Sequence, residues 1–423
     1  MRLGVSLLAQ EASSVHGWVS STFPMPSEAA QPTLQLPVRR AGALTFGTLF
    51  ALESFVRAIN STVVSLQAYD LLTTARNVSI LATAISLIVL MTTLLLPLLI
   101  ARIPRRWSYT LGVLALMGAG VALATFTLTG QALGMFLRNS GAALLNIAMS
   151  LYILDYVKRA DLTRIEPVRM SMSTASWTVG PALGVWLYTE YGHWAPQAMS
   201  ILWAGILLSL FWYLRLHAHA IIRPGKAAPP NPIANIGRFL RQPRLRLAWM
   251  IAFGRSCYWA TLFVYGPLLM VESGLGKQAG GWLISISQVL LISAYLFGKL
   301  AERRGVRVVI AGSFAVACVS AVIAGLAGTA MPYLAAALLL LGSVAASALD
   351  GVGGIPFLRA IRAHERPQMT AVYRTYIDLS ELLPSIAFAF ALSFFEIGSV
   401  FVIIGIAQGI FGFISWKHLP KSM

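Results

Sequence analysis

Charge is what this sequence has least of. Only 11% of its 423 residues are charged, Asp and Glu number 15 against 32 Lys and Arg, and 57% are hydrophobic, with a mean hydropathy of +0.73. So little polar surface cannot cover an ordinary soluble globule. Cysteine is almost missing: Cys257 and Cys318 both lie inside apolar runs, which excludes a disulfide framework. Of the six histidines, His16, His217, His219 and His418 fall in tails or a polar loop. There is no H-E-x-x-H spacing, no clustered catalytic histidine and no glycine-rich nucleotide loop, so neither a metal, a cofactor nor an embedded enzyme is expected. The alternating segments of a membrane β-barrel are lacking too, because the apolar runs are continuous.

What is there instead is a series of runs of about 20 residues, each long enough to cross the hydrocarbon as a helix. Twelve are expected, over 43–69, 77–101, 109–129, 131–157, 170–189, 195–216, 247–272, 279–299, 306–328, 331–357, 371–395 and 398–416. The fold class is therefore an all-α membrane protein with twelve transmembrane helices in two six-helix halves. TLTGQALG and GTAMP are short enough to force antiparallel hairpins between spans 3 and 4 and between spans 9 and 10. The organisation reads as a tail over 1–40, a six-helix domain over 41–216, a Pro- and Arg-rich linker over 217–246, a second six-helix domain over 247–416 and a tail over 417–423. Within the linker, IGRFLRQ can form a short amphipathic helix.

Sorting Lys and Arg by loop gives twenty-five on the side of both termini and only Arg76 and Lys277 on the other. By the positive-inside rule both termini are cytoplasmic, and a bacterial inner (plasma) membrane is the expected location. The net charge of +17 then reports topology and attraction to an anionic inner leaflet rather than nucleic-acid binding.

The halves echo each other. PLLIARIPRRW (97–107) aligns with GKLAERRGVRV (298–308), matching Leu99 with Leu300 and Arg102 with Arg303. Here the chain resembles the major facilitator superfamily, whose loop after the second helix of each half reads G-x-L-x-D-R-x-G-x-R. Gly298, Leu300, Glu302 in place of Asp, Arg303, Gly305 and Arg307 fit it, while the earlier copy carries Pro97, Ala101 and Pro104 at the glycine, acid and second glycine positions. The resemblance implies a clasp that closes the cytoplasmic side, with Glu302 reaching Arg164 or Arg169; a solvated basic loop is the alternative. WTVGPALGVWL (177–187) resembles the family's antiporter motif G-x-x-x-G-P-x-x-G-G through Gly180, Pro181 and Gly184, with Ser176 and Val185 replacing the outer glycines. It reads either as that motif or as a seam of close helix packing. RNSGAALLN resembles R-x-x-q-G with one residue missing before Gly141, which implies a link between Arg138 and proton movement.

Eight charged residues lie three or more residues inside predicted spans: Glu53, Arg57, Arg138, Arg255, Asp350, Arg374, Asp378 and Glu381. At roughly 2.5–3.5 kcal/mol each at a helix centre, they must face protein or water rather than lipid. Glu53, Arg57, Asn60 and Gln67 are spaced as one face of span 1; Arg374, Asp378, Glu381 and Ser385 repeat the arrangement on span 11. Span 7 offers Arg255, Tyr258 and Tyr265 with Trp259 beside them, and span 10 offers Ser343, Ser347 and Asp350. The resemblance implies that spans 1, 4, 7 and 10 line a central cavity, and overlaying the repeats suggests a Glu53–Arg255 pair across the halves. The alternative is that Glu53–Arg57 and Arg374–Asp378 are i,i+4 ion pairs that merely hold the bundle.

A carboxylate whose partner arginine moves can take or release a proton. Four acids balance four bases, so protonating one acid leaves the cavity positive and favours an anionic ligand. The expectation is a monomeric secondary transporter that moves a small organic solute, with protons as coupling ion. Export is the first reading; uptake by symport, or a non-transporting sensor or assembly protein, are the others.

Overall fold

The computed structural model describes residues 43–156, 162–214, 232–361 and 365–420. The expected tail over 1–40, residues 421–423 of the expected tail over 417–423, and linker residues 217–231 lie outside them. A first group of helices comprises α1 (Ala43–Leu72), α2 (Ala75–Arg102), α3 (Arg105–Ala124), α4 (Leu128–Tyr156), α5 (Leu162–Tyr191) and α6 (Ala195–Tyr213). After the short α7 (Pro232–Leu240) comes a second group: α8 (Pro243–Glu272), α9 (Lys277–Val289), α10 (Ala294–Arg304), α11 (Val306–Ala327), α12 (Pro332–Val352), α13 (Ile355–Ala360), α14 (Arg366–Tyr373), α15 (Tyr376–Ala391) and α16 (Gly398–His418). No strand occurs among the described residues.

Nine segments of the described residues are long and apolar enough to cross a membrane, with α9 and α10 joined by a 3-10 turn at Leu290–Ser293 into one of them. Three expected spans fall short of that measure. α15 has only 16 residues, and α4 and α5 carry polar side chains, Arg138, Asn139 and Asn146 on the one and Arg169, Ser173 and Ser176 on the other, that face protein or cavity instead of lipid. The outer faces are apolar: on α2, Leu87, Ile88, Met91 and Leu95 are exposed while Val78, Ala82, Ile85 and Val89 are buried. This is the pattern of a helix with lipid on one side and protein on the other.

Several boundaries differ from the expectation for identifiable reasons. α4 starts at Leu128, three residues early, because the Thr127 hydroxyl accepts the Gly130 N–H at 3.1 Å as an N-cap. The tenth span stops at Val352, where Gly353 and Gly354 interrupt it, and Pro356 starts α13. The eleventh is two helices, α14 and α15, bent at Arg374–Thr375. α8 begins at Pro243, so the linker ends earlier than residue 246. The amphipathic segment does form, as α7, and buries Phe239 against Leu245, Ala248, Phe357 and Met369, with an Arg238–Glu365 ion pair beside it.

Turns of a few residues make successive membrane-crossing segments within each group antiparallel. The end of the bundle carrying Arg102, Arg105, Arg106, Arg303, Arg304 and Arg307 is the basic side; the end carrying Arg76 and Lys277 is the far side. In the loop there, Gly305 separates α10 from α11 at φ +90° and ψ 145°, a conformation that costs an L-residue about 1–3 kcal/mol. Gly305→Ala should therefore lower the melting temperature of the solubilised protein. Gly298→Ala should not, since a Cβ at Gly298 has no atom within 4 Å.

Within the first group α1 packs on α5 and α3 on α4; within the second, α11 packs on α12 and α16. Between groups, α5 meets α9, α2 meets α15, and α1 meets α8. One buried cluster is shared by both groups, with Val63, Leu66, Val78, Val185 and Tyr188 from the first against Tyr265, Leu268, Leu283, Ile284 and Phe388 from the second.

Candidate functional site

α1 divides its polar residues between two directions. Glu53, Asn60 and Gln67, spaced seven apart, are buried inside the first group. The Gln67 amide donates to the Leu123 carbonyl of α3 at 2.7 Å, and Glu53 lies within electrostatic reach of Arg169 on α5 and Tyr109 on α3. Arg57, Ser61 and Ser65 turn instead toward the second group and line a cavity. The single stripe expected on span 1 is thus two faces, with the Glu53-to-Arg57 step crossing the boundary. Arg57 Nη1 still reaches back to Glu53 Oε1 at 3.6 Å.

The second group divides in the same way. The Tyr258 hydroxyl donates to the Leu339 carbonyl at 2.8 Å inside the group, so Tyr258 is core and not lining. Arg255 Nη1 donates to Asp350 Oδ1 at 2.7 Å and its Nη2 to the Tyr376 hydroxyl at 3.1 Å, while the Trp259 indole donates to Asp350 Oδ2 at 2.8 Å. The expected Glu53–Arg255 pair is absent here, because Arg255 is neutralised within its own group and Glu53 faces away. Arg374 and Asp378 do not close an i,i+4 ion pair either; Asp378 Oδ2 accepts the Thr93 hydroxyl of α2 at 3.1 Å.

What remains between the groups is a central cavity of about 310 Å³. Arg57, Arg138, Asn139 and Trp177 supply one wall, and Trp259, Phe263, Tyr265 and Glu381 the other. Arg138 Nη2 donates to the Arg57 carbonyl at 3.1 Å, which fixes it against α1. The Arg57 guanidinium lies 5.9 Å from the Trp177 ring centroid, and Trp177 meets Phe263 edge-on with centroids 5.6 Å apart. A second cavity of about 410 Å³ shares Arg57, Asn139, Ile377 and Glu381 with the first and runs toward the basic side past Asn146, Leu151, Arg374 and Asp378.

Toward the far side the space is closed. The shared apolar cluster lies there, and polar contacts join the groups around it: Ser79 with the Tyr265 hydroxyl at 2.7 Å, the Ala182 N–H to Ser285 Oγ at 3.0 Å, and Lys277 Nζ to Asp70 Oδ2 at 2.6 Å. Asp70 also accepts the Tyr188 hydroxyl. Lys277, one of the two basic residues on the far side, is therefore a latch between groups. Asp70→Asn should weaken it by about 1 kcal/mol, the usual scale for a partly exposed pair. A cysteine at Ala68, on the cavity wall, should then react roughly fivefold faster with an impermeant maleimide added from the far side.

The helix 5 stretch packs closely on α1. A Cβ on Gly180 would stand 2.5 Å from that of Ala58, and one on Gly184 would stand 1.9 Å from the Ile59 carbonyl oxygen. Pro181 sits between them on α5. Of the loop motif, Glu302 and Arg303 are exposed, and Arg307 lies over the Trp416 ring at 4.5 Å. Arg169 stacks on Phe50 at 4.3 Å, and the Arg164 side chain lies outside the described residues.

The sequence reading missed Trp177, Phe263, Asn139, Asp70 and Tyr188. The signal for Asn139 and Asn146 was present, since they share one face of α4 at a spacing of seven; Trp177 was hidden inside a motif read for its glycines.

The sequence model of the Major Facilitator Superfamily matches residues 46–383. The chain belongs to that superfamily. It is a membrane-embedded secondary transporter and not an enzyme. No curated protein matches it. Solved structures share its fold. A peptide transporter POT in complex with sulfate is 14% identical, with TM-score 0.68 over 89% of this chain and 94% of that one. A POT family transporter in complex with 5-aminolevulinic acid is 14% identical, with TM-score 0.64 over 87% and 94%. A variant of the nucleoside transporter NupG is 14% identical, with TM-score 0.64 over 89% of this chain and all 100% of that one.

Proposed function

We propose that this facilitator carries a small organic solute by alternating access, coupled to protons, with the basic side cytoplasmic as the loop charges indicate. The observation that carries this reading is a central cavity walled by both helix groups, latched shut at the far side and continued toward the basic side. The solved structures of similar fold hold small solutes such as 5-aminolevulinic acid, and a cavity of this size suits a ligand of that order.

Proton coupling is assigned to the Glu53–Arg57 pair. Glu53 is wholly buried and its oxygens accept no hydrogen bond, whereas Arg57 reaches the cavity. A solute that draws Arg57 away leaves the carboxylate without its counter-charge, which favours uptake of a proton. The Glu302 clasp belongs to the opposite state, in which the basic side is closed.

The test is proton flux in liposomes loaded with a pH-sensitive dye and challenged with a panel of small organic zwitterions, acids and amines. Solute-evoked flux supports the reading, and its sign separates export by antiport, the direction implied by the helix 5 resemblance, from uptake by symport. Solute movement with no proton flux would remove the coupling.

A further inference from the structure

The charges that reach the central cavity are sorted by helix group. Arg57 and Arg138 face it from α1 and α4, and Glu381 faces it from α15. The other intramembrane charges lie outside it: Glu53 lies behind Arg57, Asp350 is shared by Arg255 and Trp259, Asp378 receives Thr93, and Arg374 lines only the continuation toward the basic side, beside Asp378. The cavity therefore has a cationic wall on one group and an acidic wall on the other, although the eight intramembrane charges sum to zero.

The cationic wall has unspent capacity. Arg138 uses Nη2 on the Arg57 carbonyl and Nη1, at 3.4 Å, on the Asn139 side-chain oxygen, but its buried Nε has no partner. The charged partner of Arg57 is Glu53, at a long 3.6 Å, and its guanidinium also lies over the Trp177 ring. Two guanidinium groups side by side suit a carboxylate or similar oxyanion, which they can bind through paired N–H donors. Across the space, Glu381 is exposed to the cavity and feels both arginines electrostatically. Between the walls lie Trp177, Trp259 and Phe263, flat apolar surfaces suited to a planar body.

Building on the transport reading above, we propose that the solute is a zwitterion with an aromatic body, its acid group held by Arg57 and Arg138 and its ammonium group by Glu381. An anion of the same shape leaves the Glu381 carboxylate facing it without a counter-charge, and a cation leaves two guanidinium groups facing it. Only a ligand with both charges satisfies both walls. Because the walls belong to different helix groups, the same ligand ties the groups together as the cleft closes around it.

The test uses three compounds with one indole body: L-tryptophan, a zwitterion; indole-3-propionate, an anion; and tryptamine, a cation. Binding to the purified full chain is read by displacement of tritiated tryptophan and by direct calorimetry for each compound. Tryptophan should bind at least tenfold more tightly than either analogue. Glu381→Gln should erase the preference over indole-3-propionate, and Arg138→Gln the preference over tryptamine. Equal or tighter binding of either single-charge analogue, or binding of none of the three, overturns the proposal. Alternation of the cavity between the two sides is measurable by cysteine labelling without any of these ligands. Its persistence would leave the transport reading standing when the zwitterion fails, and its absence would remove both.

Discussion

Glu381→Gln should cut solute flux by roughly 30-fold while leaving the amount of folded protein in the membrane unchanged. Glu381 is the acid that lines both the central cavity and its continuation toward the basic side. It stands where the two cavities meet. Neutralising one member of a desolvated charge pair costs about 2–5 kcal/mol. The lower end applies here because Glu381 is open to the cavity, and about 2 kcal/mol corresponds to the stated 30-fold. Folding should be spared, because the side chain packs against space rather than against a neighbour. Initial uptake or efflux rates in proteoliposomes, normalised to reconstituted protein, give the number. A flux within twofold of the unaltered protein would remove Glu381 from the site.

The second large effect is on assembly. Gly184 of α5 is pressed against α1, and a Cβ there would stand 1.9 Å from the Ile59 carbonyl oxygen, a distance that only separation of the helices relieves. Overpacking of this kind costs about 1–3 kcal/mol when neighbours can yield. Backbone cannot yield as a side chain does, so Gly184→Val should bring the loss of most folded protein, read as the monodisperse peak in size-exclusion chromatography after detergent extraction. Gly205→Val on α6 serves as the comparison, since a Cβ at Gly205 has nothing within 4 Å and should leave the peak intact. Equal recovery of the two variants would refute the close α1–α5 seam.

Much of the fold was legible because a bilayer constrains sequence so strongly. Continuous apolar runs, short hairpin turns and the loop charge asymmetry located the helices, and the paired loop motif identified the superfamily. Boundaries slipped where a local feature outweighed hydropathy, as with the Thr127 cap before α4 and the bend at Arg374–Thr375. The site was legible in composition and less so in direction. Spacing of four and three places residues on one broad face, but a face some 100° wide or more spans both the interior of a helix group and the cavity. That is why Glu53 and Tyr258, grouped with Arg57 and Trp259 by sequence, turn inward instead. Long-range partners were harder still. Arg255 joins Asp350, 95 residues away, and Lys277 joins Asp70, 207 residues away, and no local pattern encodes either pair.

The central claim is that one cavity opens in turn to the two sides of the membrane. The measurement that tests it most directly is side-specific labelling of a single cysteine at Ala260, which lines the central cavity, in a protein whose Cys257 and Cys318 have been replaced by serine. An impermeant maleimide is applied to right-side-out and to inside-out vesicles. The account predicts labelling from the basic side and, more slowly, from the far side, with the far-side rate raised by Asp70→Asn. Labelling from one side only, unchanged by loss of the latch, would contradict it.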